Sequence, residues 1–387
     1  MKQIYIDGLG LVDGHFSGIG QYILGVLRGM DELIEESTYT EVSLPKVTVI
    51  IPRDTIEKFE SFNFKHINYK KFPLPFRYMS ALWHRNWLPP IDLFCGRGIY
   101  IFPRFVGMRL WFSSSLNVIY DLSYELHREY SDDGNARFLS NGVKKTLIKT
   151  KKVITISENS KNELIDFYGL GTKDVAVATP AVDPRGMYRR SKEEVKKIKG
   201  KYGIKGDYIL ALSNLEPRKN LEALVDVFCR LPKKLSENTS LLLVGVSGWK
   251  TDALFEEIVK KVDDGAKIIR PSKYVTDEDK PAIISGAKLL VYPSHYEGFG
   301  IPPLEALACG VPVITADNSS LPEVVKGVGS MVDSTDRDAL YQEVIGALEN
   351  IDQLTKKVRT AGPERARQFS WKNSAKVFMD TAREVEQ

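Results

Sequence analysis

At 387 residues the chain is too long for one ordinary hydrophobic core, so two or three domains are expected. Hydrophobic residues make up 43% and charged residues 27%, the balance of a water-soluble globular protein and not of a disordered or fibrous one. A formal net charge of +4 is small for this length; it argues against a dedicated nucleic-acid binder but allows a local basic face. Cys95, Cys229 and Cys309 are odd in number and lack metal-ligand spacing, which predicts buried thiols in a reducing compartment. The opening MKQIYIDGLG is too short and polar for a signal peptide, and no apolar run approaches a membrane span. The expectation is a cytoplasmic protein, with peripheral attachment to a membrane left open.

Taken in order, residues 3–6 read as a strand, followed by Gly8, Leu9 and Gly10 and then a helix opened by Ser17, Gly18, Ile19 and Gly20. A glycine pair after a strand is a weak phosphate-loop signal, and an ordinary turn accounts for it equally well. Residues 47–51 form the next predicted strand. The stretch 62–87 interleaves Phe62, Phe64, Tyr69, Phe72, Phe76, Tyr78, Trp83 and Trp87 with Lys65, Lys70, Lys71, Arg77 and Arg85. Basic residues beside interfacial aromatics suit an anionic membrane surface or a lipid-linked polyanion; core packing with a solvated basic edge is the plainer alternative. Strands are predicted at 91–94, 99–102, 117–120 and 152–157, and 175–182 closes the first half; Asp121 at a strand end is a candidate sugar or acceptor contact, or else a helix cap. A linker is expected near 183–188.

The alternation then restarts with a strand at 208–213. Arg218 and Lys219, adjacent cations beyond its carboxyl end and ahead of a helix, suit a diphosphate by charge and by forked donors. Strands follow at 241–246 and 267–269. Asp277 and Asp279 form a D-x-D string, but Thr276 before them reads as the N-cap of a helix whose first turn is acidic. The stretch 289–315, LLVYPSHYEGFGIPPLEALACGVPVIT, reads as strand, glycine loop, proline-opened helix and strand. Glu297 lies in that loop and Glu305 in the helix, while Gly298 and Gly300 allow a ligand to approach the backbone on either side of Phe299. Loops at the carboxyl ends of parallel strands are where open α/β sheets bind ligands. Strands and helices alternate through both halves, so the fold class is α/β, with two doubly wound parallel-sheet domains.

Pro293, Ser294, Glu297, Gly298, Phe299, Gly300, Pro302, Glu305, Ala306, Gly310, Pro312 and Val313, with the later Ser320, Leu321, Pro322 and Glu323, resemble the E-x7-E signature of the retaining nucleotide-sugar glycosyltransferases of family four. The branch most similar is the mannosyltransferase-like one. The resemblance extends to Gly18, Ile19, Gly20 and Tyr22, to Ser157, Glu158, Ser160 and Lys161, to Arg218, Lys219 and Asn220, and to Phe369, Ser370, Trp371 and Ala375. It implies the GT-B arrangement, with an acceptor-side domain at 1–184 completed by 369–387 and a donor domain at 185–368, and an active site in the cleft between them.

The same resemblance implies that Arg218 and Lys219 meet the donor diphosphate, Glu297 the transferred sugar and Glu305 the ribose. Gly245 would lie at the cleft, Tyr274 and Val275 near the nucleobase, and Gly18 and Gly20 near the diphosphate and acceptor. Tyr120 stands where most relatives have histidine, so a role carried by that histidine does not transfer, although Asp121 matches. The co-substrate is expected to be GDP-mannose, with UDP- or dTDP-sugars as alternatives; no resident cofactor, metal or nucleic acid is expected. The acceptor is expected to be a glycan or a lipid-linked glycan. Competing readings are a sugar phosphorylase or nucleotide-sugar epimerase of the same fold and, more remotely, a two-domain small-molecule receptor.

Overall fold

Short runs rich in β-branched and aliphatic residues, buried on both faces, can satisfy their backbone only in a parallel sheet covered by helices. The computed structural model, which describes residues 3–13, 18–38, 44–150, 152–248 and 251–386, contains two such sheets. The chain divides into two units, the first comprising Met1–Pro180 with Ser370–Gln387 and the second Ala181–Phe369. Ser17 and Trp249, both in motifs named above, lie outside the described residues.

In the first unit the strands are β1 (Gln3–Asp7), β2 (Lys46–Pro52), β3 (Asn68–Phe72), β4 (Ile99–Phe102), β5 (Ser114–Val118), β6 (Lys152–Thr155) and β7 (Val175–Val177). They pair in parallel in the order β3-β2-β1-β4-β5-β6-β7. The order reverses between β1 and β4, so the carboxyl ends of these two strands flank a crevice. The closing helix Trp371–Glu386 belongs to this unit and packs on the helix Gly18–Ser37. Glycine makes that approach feasible. A Cβ on Gly25 would stand 2.3 Å from the Trp371 ring, and one on Gly29 would stand 2.3 Å from the Trp371 carbonyl oxygen. The Tyr22 hydroxyl donates to the Ala178 carbonyl (2.7 Å), tying the same helix to the end of the unit.

The second unit contains β8 (Asp207–Leu212), β9 (Thr239–Val244), β10 (Ile268–Ile269), β11 (Leu289–Tyr292), β12 (Val313–Ala316) and β13 (Ser330–Val332), parallel in the order β10-β9-β8-β11-β12-β13. Here the reversal falls between β8 and β11. Its core is aliphatic: Ile209, Ala211, Leu241, Leu243, Leu289 and Val291 bury against Leu224, Val227 and Phe228 of the helix Leu221–Arg230.

Several elements differ from expectation. Residues 91–94 are not a strand; Asp92–Cys95 is a single helical turn. The cause is Asp92, only 2% exposed, whose carboxylate accepts from the backbone N–H groups of Trp111, Phe112 and Ser113 and holds that loop where a strand would run. The strand placed at 117–120 runs instead over Ser114–Val118, because Tyr120 leaves the sheet to donate to the Pro103 carbonyl (2.9 Å). Thr276 does not cap a helix directly: its hydroxyl accepts from Asp279 across one turn, and the helix begins at Lys280.

The aromatic stretch 62–87 is mostly packed. Phe72 and Trp83 are buried and Phe59, Phe62, Phe64 and Tyr69 pack on one another, but Tyr78 and Trp87 are 60% and 70% exposed. Cys95 and Cys309 are buried and Cys229 is half-buried. Burial pushes the Cys309 thiol up to about 12, which fits a core residue and not a nucleophile. Among the described residues no helix is long and apolar enough to cross a membrane.

Candidate functional site

The reversal point of the second unit places two loops side by side. After β8 the chain runs to a 3-10 turn, Pro217–Lys219, with proline at its start, and Asn220 closes the turn at φ 53°. Asparagine tolerates this left-handed conformation better than most residues. Its side chain also donates to the Pro293 carbonyl (3.1 Å) and to the Ser334 carbonyl (2.8 Å). The loop after β11 answers with the His295 N–H, which donates to the Arg218 carbonyl (2.9 Å). On its far side the Ser320 hydroxyl lies within hydrogen-bond distance of the Glu297 carbonyl (2.8 Å) and the Phe299 carbonyl (2.9 Å). The glycine loop is therefore fixed from both sides by backbone contacts.

These loops bring together Arg218, Lys219 and Glu297. Arg218 donates through Nη1 to Glu297 Oε2 (2.9 Å) and the Tyr296 carbonyl (2.6 Å), and through Nη2 and Nε to Glu216 Oε1 (2.8 and 3.2 Å). Lys219 donates through Nζ to Glu297 Oε1 (2.6 Å) and to the Tyr292 hydroxyl (3.1 Å). Glu216, Lys219 and Glu297 are 5%, 7% and 7% exposed, so two cations and two carboxylates are held with little water between them. Burial pushes the Glu297 carboxyl up, but Arg218 and Lys219 outweigh it and hold the group at about 2. The carboxylate is ionised and each oxygen is engaged by one cation. At this burial such contacts are stronger than surface ion pairs.

Glu305 is not a solvated helix residue. It is 5% exposed, and its Oε1 pairs with Lys280 Nζ at 2.7 Å. Burial raises the Glu305 carboxyl above its ordinary value, against the opposing pull of Lys280. Lys280 opens the helix that follows the turn carrying Tyr274 and Val275, and its N–H donates to the Thr276 carbonyl (2.9 Å). Glu305 is thus connected to that turn. Tyr274 is 69% exposed and Val275 9%. The carboxylates of the D-x-D string have separate lysine partners: Asp277 pairs with Lys280 (3.4 Å), and Asp279 with Lys201 and the Tyr202 hydroxyl.

The glycines have local reasons. Gly245, at φ +154°, passes so near β8 that a Cβ would stand 1.8 Å from the Ser213 carbonyl oxygen. Gly300, at φ +115°, precedes the helix Ile301–Ala308, and a Cβ there would meet Leu321 at 2.8 Å. Gly298 precedes Phe299, whose ring is buried edge-on against Phe369 at 5.4 Å.

Gly18, Gly20 and Asp121 belong to the first unit. Gly18 opens the helix Gly18–Ser37 and is exposed, whereas Gly20, two residues on, is buried. Asp121 Oδ1 accepts from the Ser123 N–H (2.9 Å) and hydroxyl (2.7 Å) just before the short turn Ser123–Leu126, whose N-cap position is Leu122. Sequence reasoning did not assign Glu216, Tyr292 or Lys280. Glu216 had a readable signal, a carboxylate two residues before an arginine at a strand end. Tyr292 and Lys280 had none, because the partners that bring them into the site, Lys219 and Glu305, lie 73 and 25 residues away.

Comparison with known proteins identifies the family. Residues 192–365 match the family model described as Glycosyl transferases group 1. The chain is 33% identical over 261 residues to the O-antigen chain mannosyltransferase B of Escherichia coli, covering 67% of each protein. It is 27% identical over 269 residues to the serotype-specific mannosyltransferase WbdA of Escherichia coli, covering 68% of this chain and 32% of that longer one. Among solved structures, Anabaena HepE with UDP and glucose superposes with a TM-score of 0.69 at 16% identity, covering 98% of this chain and 99% of that one, a likeness of fold. The chain is therefore a GT-B glycosyltransferase of the group 1 family, in its O-antigen mannosyltransferase-like branch.

Proposed function

We propose that the protein transfers mannose from GDP-mannose to a hydroxyl of a glycan or lipid-linked acceptor, with retention of anomeric configuration and without a metal ion. The observation that carries this reading is the buried cluster of Arg218, Lys219, Glu216 and Glu297 at the reversal point of the second sheet. When the sugar departs, negative charge gathers on the diphosphate. Two cations already held in place stabilise that charge without reorganising at the moment of reaction. Glu297, with both oxygens engaged, is a poor covalent nucleophile, which supports transfer on a single face. In that step the bond from the anomeric carbon to the diphosphate oxygen breaks as the bond to the acceptor oxygen forms. The acceptor proton passes to the departing diphosphate. Glu305, with Lys280 on one oxygen, keeps acceptor capacity for the donor's ribose hydroxyls.

Screening nucleotide sugars, with mass spectrometry of the products, tests the reading. GDP-mannose is expected to be turned over with release of GDP, and turnover is expected to survive EDTA because Arg218 and Lys219 do the work of a divalent cation. Loss of turnover in EDTA with rescue by magnesium or manganese would exclude the metal-free mechanism. Phosphate-dependent release of a sugar 1-phosphate would show a phosphorylase instead.

The proposal includes an anionic membrane surface as a partner. Trp87, Trp111 and Phe112 of the first unit are 70%, 69% and 54% exposed, and Arg85 and Arg97 lie 5.9 Å from the Trp87 ring and 5.5 Å from the Phe112 ring. Exposed aromatic rings beside arginines suit the headgroup region of a bilayer. The protein is expected to sediment with anionic vesicles more than with neutral ones, less so at higher salt, and least when Trp111 and Phe112 are both replaced by serine. Equal sedimentation with both vesicle types would remove the membrane from the reading.

A further inference from the structure

The second unit carries its charged cluster where the strand order reverses. The first unit has a reversal of the same kind, between β1 and β4, and it too is occupied by a buried ion pair. Asp7 ends β1 and is 2% exposed; Arg104 stands two residues beyond the end of β4. Arg104 Nε donates to Asp7 Oδ2 at 3.0 Å, and the Leu9 N–H donates to Asp7 Oδ1 at 3.0 Å. The guanidinium lies 4.0 Å from the centre of the Trp83 ring. Gly10, from the loop after β1, leaves room for the arginine stem, since a Cβ there would stand 3.2 Å from Arg104 Cδ.

Among the described residues, two donors in this cluster lack partners. Arg104 Nη2 is buried without a hydrogen-bond acceptor, and so is Nε1 of Trp83, a residue only 8% exposed. A buried donor left unpaired carries its full desolvation cost, more when it is charged, so such a group calls for an explanation. A structural ion pair alone would not explain why two donors lie together at the one place in the sheet where open α/β folds bind ligands. The Arg104 side chain keeps 15% exposure through its other atoms, so the pair lies at the margin of the core while its unpartnered donors are covered.

We propose that Asp7, Arg104 and Trp83 form a binding site for a hydroxyl of the acceptor sugar, and that Arg104 positions this acceptor. The site rests on the glycosyl-transfer reading given above and specifies where its acceptor is held. The charge balance selects the ligand class. Asp7 already neutralises Arg104, so an anion such as phosphate would meet the carboxylate as well as the guanidinium. A sugar hydroxyl is both acceptor and donor. It accepts from the arginine or the indole and donates to a carboxylate that still has lone pairs to spare.

Indole N–H resonances of nitrogen-labelled protein, with Trp83 assigned through Trp83→Phe, read the site without requiring turnover. The probes are the methyl glycosides of mannose, glucose, galactose and N-acetylglucosamine, inorganic phosphate and GDP. At least one glycoside is expected to move the Trp83 resonance saturably, whereas phosphate and GDP leave it in place. Arg104→Lys keeps the charge opposite Asp7 but loses the second donor. It is expected to weaken that glycoside about 10-fold or more, to raise the acceptor KM with the donor KM unchanged, and to melt close to the parent. A Trp83 signal unmoved by every glycoside, a shift produced by phosphate, or unchanged glycoside affinity in Arg104→Lys overturns the site. A glycoside response in a protein that turns over no nucleotide sugar would retain the site and sink the transfer reading.

Discussion

Arg218→Ala is expected to lower turnover by about 10²-fold or more, the scale of removing a preorganised donor to a developing oxyanion. On the proposed reading the loss has two parts. The guanidinium is removed from the path of the leaving diphosphate, and Glu216 and Glu297 lose the cation that spans them. Arg218→Lys is expected to recover little, because an ammonium cannot direct separate donors at Glu216 on one edge and at Glu297 and the Tyr296 carbonyl on the other. Steady-state rates, measured where each variant is folded, with calorimetric GDP affinity alongside, check this. Turnover within a few-fold of the parent would remove Arg218 from the stabilisation of the leaving group.

Glu297→Ala has the largest effect expected on stability. On the family resemblance alone it would spare nucleotide binding and damage only transfer. The structure changes that expectation, because Glu297 holds Arg218 and Lys219 together across two loops. Removing it leaves two largely buried cations with Glu216 as their remaining carboxylate partner in the cluster, a change that typically costs about 3–5 kcal/mol. Nucleotide affinity is therefore expected to change along with transfer.

The same pairing predicts an acid limb. The Glu297 carboxyl is held at about 2, against an ordinary value of 4.5. A depressed carboxyl contributes stability above its unfolded value and loses it as pH falls towards its folded one. Melting temperature should accordingly fall on acidification from about pH 4.5 towards pH 2, and Glu297→Gln should flatten that fall while starting lower. A parallel decline in Glu297→Gln would show that other carboxylates carry the acid limb.

The loop after β11 was legible because its signals are local. Glycines flank Phe299, prolines open the helix Ile301–Ala308, and Glu297 and Glu305 fall at a fixed spacing within a single strand–loop–helix unit. Strand–helix alternation likewise announced two parallel sheets, since period and punctuation are properties of adjacent residues. Errors arose where a short apolar run had to be assigned without its neighbours. Residues 91–94 look like a strand, and only the hold of Asp92 on the loop nineteen to twenty-one residues later makes them a helical turn.

Pairing was not legible. Arg218 and Glu297 are 79 residues apart and meet because β8 and β11 are neighbours in the sheet; Asp7 and Arg104 are 97 apart and meet because β1 adjoins β4. Glu305 meets Lys280 through the packing of two helices on one sheet. Residue types and spacing by themselves determined which groups stand at the carboxyl ends of strands. Which of those groups share a site was decided by strand order, a choice set by burial of the whole sheet and encoded in no single segment.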